Sequence, residues 1–255
     1  MDIALDLFIN LVFLLLLVGL TCLTASWTLL RGFKPRSVVL AGSATLALFF
    51  AGLFFLIQTA QKPEAVPVLQ KYFDESWDQA AKMLTANSVS PENINTIKIL
   101  YQKYGVSAFP AWLGVNCLAA GLLAYYLASA VLSRVSTKVS KAVAFREWMI
   151  PEPLVYGLIL GALFKLVFKE NSAMDIVGNN LLVFFVSLYT LGGLSIVSFF
   201  FNKWKFPPAI RILNYVVIFF VFNIIFESIC FCCVLDIWFD FRKLKSPNSE
   251  PTATV

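Results

Sequence analysis

The chain has 255 residues, of which 59% are hydrophobic, only 14% are charged and none is histidine. This composition is typical of a protein that lies in a bilayer, because a soluble domain of this length needs more charge to stay dispersed. The lack of histidine excludes HExxH zinc helices and Ser-His or Cys-His nucleophile pairs. Short basic loops beside apolar segments explain the net charge of +5, so it requires no nucleic-acid partner.

Apolar stretches along the chain predict an all-α, polytopic membrane bundle of about six transmembrane helices in a single membrane domain. A bilayer core about 30 Å thick needs about 20 residues of helix. The first stretch has no basic leader and is too long for a signal peptide, so we expect it to remain as a span. The sixth exceeds one perpendicular crossing, and a polar tail, 244–255, follows it. The predicted spans are 5–30, 38–59, 109–132, 154–168, 176–201 and 209–238.

Positive charge in the short loops predicts the orientation. Basic residues follow spans one, three and five, in the segments 31–36, 134–146 and 203–211. Because such loops stay in the cytoplasm, the N-terminus is expected outside. Arg242, Lys243 and Lys245 conflict with this topology, since they follow span six. Either the rule fails at this tail, or the sixth segment is not a simple crossing.

The segment 61–104 is the one sizeable polar insertion. Apolar residues recur in it at steps of three to four, which predicts an amphipathic helical hairpin. Ser90, Pro91 and Glu92 form a helix start, with Ser as the N-cap and Pro at the first helical position. We interpret the hairpin as a cap packed on the bundle or the outer leaflet, rather than as a ligand lid.

Polar side chains inside the spans are the candidate ligand-binding residues, because burial in hydrocarbon is costly. Glu227 is the strongest candidate, and it is expected to point inward, towards spans four and five. A hydrogen-bonded structural Glu227 is the alternative. Lys165 either snorkels or pairs with an acid. We expect no catalytic residue, no cofactor and no metal site, since no histidine or second cluster completes the group of Cys230, Cys232 and Cys233. The candidates are Glu227, Asn223, Asn180, Lys165 and Asn116.

Four runs carry a resemblance to a known family: 145–156, 178–182, 191–197 and the closing Asp-Ile-Trp-Phe-Asp-Phe-Arg-Lys at 236–243. They resemble the YybS-like bacterial membrane proteins, a family with a domain of unknown function. Its members usually carry further apolar helices upstream, so the resemblance implies either that this chain is shortened at its N-terminus or that its start is assigned late. The family is distantly similar to the substrate-binding membrane subunits of energy-coupling-factor (ECF) transporters.

The resemblance implies a multi-pass protein of the bacterial cytoplasmic membrane, in contact with lipid and with other membrane or ATPase subunits. It favours a transport-related substrate-binding subunit that is not an enzyme. The alternative is a non-catalytic scaffold in envelope or division processes. The substrate, the partners and the oligomeric state are left open.

Overall fold

The computed structural model describes residues 3–60, 65–139, 141–170, 172–220 and 222–244, and regular structure in these ranges is helical. Short 3-10 turns, Phe145–Glu147 and Glu152–Leu154, precede the sixth helix, and a π-helical turn, Tyr101–Val106, precedes the fifth. The α-helices are α1 Ile3–Leu30, α2 Pro35–Ala60, α3 Ala65–Ala86, α4 Pro91–Leu100, α5 Phe109–Val135, α6 Val155–Val167, α7 Ala173–Lys203, α8 Pro208–Phe220 and α9 Phe222–Phe239.

Three stretches of the described residues are long and apolar enough to cross a membrane: Pro35–Leu56, Phe109–Val135 and Ala173–Lys203. Leu15–Leu30 and Pro208–Ile218 are shorter apolar helices. Helices occupy all six predicted stretches, but α6 has 13 residues and is therefore only about 20 Å long, less than the bilayer core. The all-helical class is confirmed, whereas six crossings are not. Most of the predicted tail lies outside the described residues.

The chain forms two compact units, and the first is Met1–Ala142. In it α1, α2 and α5 pack against one another. Gly121 of α5 lies directly on α2, because a Cβ added there would meet the Val39 carbonyl oxygen at 2.6 Å and the Ser43 nitrogen at 2.9 Å. Small residues allow this close approach of helix backbones. Phe109 at the start of α5 contacts Phe73 in α3, the helix that follows α2. The start of α5 is therefore placed near the end of α2, so the two helices run antiparallel.

The polar insertion of the first unit folds as two helices, as its periodicity predicts. The Ser90 side chain accepts a hydrogen bond from the backbone amide three residues later, which caps α4. Trp77 is buried with its ring against Tyr101. The Tyr101 hydroxyl donates to the Phe73 carbonyl at 3.1 Å. Burial raises the pKa of the Tyr101 phenol, with smaller contributions from nearby acidic groups. These contacts give the hairpin a packed inner face.

The second unit is Val143–Val255. Its helices α6 and α7 are antiparallel: Gly161 of α6 packs on Leu181 and Leu182, while Gly178 of α7 packs on Phe164. The Gly157 and Gly161 pair in α6 thus serves contacts within this chain. Helix α9 meets α7 at two further glycines, Gly192 and Gly193. The predicted sixth span is covered by α8 and α9, and Val221 between them lies outside the described residues.

Candidate functional site

One ion pair joins α6 to the start of α7. Lys165 Nζ lies 2.5 Å from Asp175 Oδ1, and the Asp175 side chain is 8% exposed. Ser172 caps α7 by accepting a hydrogen bond from the Asp175 amide at 3.1 Å. The carboxylate therefore sits in the first helical turn, where the helix dipole favours negative charge. Of the two roles that the sequence left open for Lys165, the structure shows pairing with an acid.

A second, more deeply buried ion pair lies at the end of α9. Arg242 Nη2 is 2.8 Å and Nε 2.9 Å from Asp236 Oδ2, so two nitrogens of the guanidinium donate to the same carboxylate oxygen. Its Nη1 donates to the carbonyl oxygens of Arg146 and Trp148 at 3.0 and 2.9 Å, and to Ser195 Oγ at 2.9 Å. Both charged residues are 5% exposed. We call Arg242, Asp236, Ser195 and the carbonyls of Arg146 and Trp148 the Arg242 cluster. It connects the end of α9 with α7 and with the segment before α6.

Backbone geometry after α9 explains how Arg242 reaches this position. Asp240 and Lys243 both have positive φ, 44° and 54°. Few non-glycine residues adopt this left-handed region, and aspartate does so more readily than most. Two such residues turn the chain back on the helix end. The Leu244 amide donates to Asp240 Oδ1 at 3.0 Å, which holds the turn. Arg242 is thereby brought beside Asp236 of the same segment.

The Arg242 cluster also places the C-terminal end of α9 within the second unit. The contacts of α6 with α7 begin at Lys165–Asp175. Ser195 lies at the other end of the α6–α7 pair, and its hydroxyl donates to the carbonyl of Trp148 in the segment before α6. Arg242 belongs to this second end. A simple crossing by the sixth segment would have ended at the Lys165 end. The structure therefore favours the second alternative drawn from the sequence, and Arg242 is not a free tail charge.

Glu227, the strongest candidate from the sequence, is exposed. Each helical residue turns about 100°, which divides α9 into two sides. One side packs in the core and carries the buried residues Ile229, Cys230, Cys233, Asp236 and Ile237. The other carries Glu227 together with Phe231 and Trp238, which are 61% and 56% exposed. The sequence analysis expected Glu227 to point inward. The helical period places it instead on what we call the outer face of α9: Glu227, Phe231 and Trp238.

The remaining candidates bond locally. Asn116 is exposed and donates to the Trp112 carbonyl of its own helix at 2.8 Å. Asn180 is half-buried and donates to the Ile176 carbonyl at 2.9 Å. The side chain of Asn223 lies outside the described residues. Lys165 is bonded to Asp175 rather than to Glu227. A ligand-binding role for the five residues stays a prediction.

Sequence reasoning did not select Asp175, Asp236, Ser195 and Arg242 as site residues, although the last three lie in the runs 191–197 and 236–243. Asp175 stands three residues after Ser172, which is the spacing of a capped helix start. This capping signal, together with Lys165 ten residues before Asp175, could have suggested the Lys165–Asp175 pair. Arg242 gave a different signal, because it conflicted with the expected topology. Its contacts with Arg146 and Ser195 span 96 and 47 residues of sequence, and no local pattern encodes them.

The cysteine cluster does not form a site with other ligand types. Cys230 and Cys233 are buried on the core side of α9, while Cys232 is exposed. Cys230 and Cys233 pack with Tyr189, Val155 and Ile237 in one hydrophobic cluster. Across the described ranges, no group of three or more Cys, Asp or Glu side chains is arranged to hold a metal ion. Buried thiols in such surroundings act as small apolar groups.

Long apolar helices, glycine contacts between helices and charges buried as ion pairs define a helical membrane protein. A family model described as "Predicted membrane protein (DUF2232)" matches residues 2–236, nearly the whole chain. The chain belongs to this DUF2232 family, whose function is unknown. The search of curated proteins and that of solved structures both gave no match.

Proposed function

We propose that the protein is a non-catalytic membrane subunit that acts by binding another membrane protein through the outer face of α9. The observation that carries this proposal is the exposed carboxylate of Glu227 on the same face of α9 as the large exposed aromatic side chains of Phe231 and Trp238. Membrane helices normally keep ionisable groups for pairing or for function, because a carboxylate in apolar surroundings is costly. A partner helix with a basic or amide side chain would satisfy Glu227 and cover the two rings.

The use of charge elsewhere in the second unit supports this proposal. Lys165 is paired with Asp175, and Arg242 is paired with Asp236. These two pairs join segments of the second unit to one another, and each charge is satisfied within the chain. Glu227 lies on the opposite side of α9 from Asp236, so it contributes nothing to these contacts. An outward carboxylate on an otherwise apolar face suits recognition of a second protein.

The test is co-purification from native membranes with tagged full-length protein. Glu227→Lys reverses the one charge of the proposed contact and should abolish a stoichiometric partner, while Glu227→Gln should weaken its recovery. Glu75→Lys is the matched control, because Glu75 is an exposed glutamate on α3 and its reversal leaves the outer face intact. Equal recovery of every partner with wild type and Glu227→Lys, at equal protein levels, would reject the proposal.

A transport-related substrate-binding subunit is the second candidate, as the resemblance to YybS-like and ECF proteins suggests. One structural observation favours it. In the described part of the chain, Tyr189 Oη and Asp236 Oδ1 are buried without a hydrogen-bond partner. Buried polar atoms are normally satisfied, so a small polar solute or a water molecule is expected at these atoms. Solute-dependent stabilisation that Tyr189→Phe removes would favour transport over partner binding.

The location that fits both candidates is the bacterial cytoplasmic membrane, with the basic loops inside and the N-terminus outside. Ser88 and Thr137 are exposed residues in the α3–α4 turn and after α5. Single cysteines at these two positions, on a background without the native cysteines, should label from opposite sides of intact cells. Labelling of both from outside would contradict the orientation.

A further inference from the structure

One end of the first unit carries a concentration of positive charge that the proposed partner contact does not use. The α1–α2 turn and the end of α5 lie at this same end, because α1 leads into α2 and α5 runs antiparallel to α2. The segments 27–39 and 129–141 contain no acidic residue. We call this surface the basic end. Its exposed cations are Arg31, Lys34, Arg36, Arg134, Lys138 and Lys141.

The α1–α2 turn is built to hold its cations in place. The Phe33 amide donates to the Thr28 carbonyl at 3.2 Å and the Gly32 amide to the Leu29 carbonyl at 2.9 Å. With Gly32 at φ 76°, this is a Schellman motif, in which glycine takes the left-handed position at low cost. The turn therefore has one defined shape. Helix α2 follows at Pro35 with no acid in its first turn, so its positive dipole end adds to the cations.

Apolar and aromatic groups directly beside the cations decide which anion suits this surface. Trp27 and Phe33 are 53% and 49% exposed, and Arg31 stacks over the Trp27 ring at 3.9 Å. Leu30 and Val135, at the ends of α1 and α5, are 48% and 82% exposed. A soluble anion offers nothing to cover these side chains. The boundary of a bilayer offers acyl chains to the apolar groups and headgroup phosphates to the cations.

We infer that the basic end binds the headgroups of anionic phospholipids and enriches them around the first unit. Each basic residue near an anionic surface contributes about 1 kcal/mol, which corresponds to about fivefold in affinity. The Arg31–Trp27 stack places one cation at the level of the aromatic ring, where headgroup phosphates lie. This inference does not depend on the partner contact of α9, since it concerns other residues and another unit.

The experiment uses the full chain in nanodiscs that contain equal amounts of phosphatidylglycerol and phosphatidylcholine. Lipids that stay bound after gentle detergent extraction are counted by mass spectrometry. Wild type should retain phosphatidylglycerol preferentially, and Lys34→Gln with Arg36→Gln should reduce that preference at least tenfold. The control is Lys71→Gln with Lys82→Gln, which removes the same charge from α3, where Asp74, Glu75 and Asp78 lie between the two lysines. Its preference should match wild type.

Three results would overturn the inference. The first is an equal loss of preference in the control, which would show an effect of net charge alone. The second is an unchanged preference in the Lys34 and Arg36 double variant, shown to be folded by its circular dichroism. The third is displacement of the lipid by millimolar inorganic phosphate, which would make the surface a site for a soluble anion. High salt should weaken lipid retention in wild type, because the contact is electrostatic.

Discussion

Breaking the Arg242 cluster should destabilise the second unit more than any surface substitution can. Asp236→Ala removes the carboxylate and leaves the Arg242 guanidinium buried without a counter-charge. Loss of one partner from a buried pair costs about 3–5 kcal/mol. The cost should fall in this range, because both residues are 5% exposed and their contacts are at 2.8 and 2.9 Å. Glu75→Ala is the control, since the Lys71–Glu75 pair is 3.8 Å long and exposed and such pairs contribute about 0.3–0.5 kcal/mol.

A buried thiol gives a local measure of this loss. Cys233 packs in the core of the second unit and is 3% exposed. With the other cysteines replaced, its labelling by a maleimide in mild denaturing detergent reports opening of this unit alone. Asp236→Ala should speed labelling by a factor of at least 100, as about 3 kcal/mol implies when opening is at equilibrium. Asp236→Leu combined with Arg242→Met should recover most of the protection. Labelling of Asp236→Ala within twofold of Glu75→Ala would refute the reasoning.

Further predictions concern the first unit. Gly121→Leu should destabilise it by about 1–3 kcal/mol through overpacking, since even a Cβ meets the Val39 carbonyl oxygen at 2.6 Å; Gly52→Ala, with open space around it, should be neutral or better in the same thermal melt. Ser90→Ala should cost about 1 kcal/mol through loss of the α4 cap, and amide exchange in the first turn of that helix should rise. The pKa of the Tyr101 phenol is raised in the folded protein. Tyr101 therefore stabilises the hairpin fully at a pH below its unfolded pKa, near 10, and this contribution is lost as the pH rises through the folded pKa. Unfolding of the hairpin followed by fluorescence should therefore become less pH-dependent above pH ~10 in Tyr101→Phe; an unchanged profile would contradict this.

Much of the fold could be read from the sequence because bilayer thickness and helical period act locally. The apolar stretches marked where helices occur, and the Ser90 cap and the periodicity of 61–104 predicted the hairpin. The orientation of Glu227 could not be read in this way. A helical wheel shows which residues share a side, but not which side faces the core. Both sides of α9 carry large apolar residues, such as Ile229 and Ile237 on one and Phe231 and Trp238 on the other.

The buried ion pairs illustrate a second limit. Lys165 and Asp175 are brought together by a hairpin, and Arg242 meets Ser195 through tertiary packing. Each bond depends on how helices cross, which a single sequence does not specify. The conflict of Arg242 with the expected topology has a physical reason: the rule counts charges in loops that face water, whereas this charge is buried against Asp236. A charge that violates such a rule is therefore worth testing as a buried partner.

Site-specific photo-crosslinking in living cells tests the proposed partner contact most directly. A photoreactive amino acid at Phe231 samples the outer face of α9. Leu166 on α6 is the control position, because it is 87% exposed and apolar but lies on another helix. The proposal predicts a discrete protein adduct from Phe231, its loss when Glu227→Lys is added, and none from Leu166. Adducts of equal yield from both positions, or an adduct from Phe231 that persists with Glu227→Lys, would contradict it.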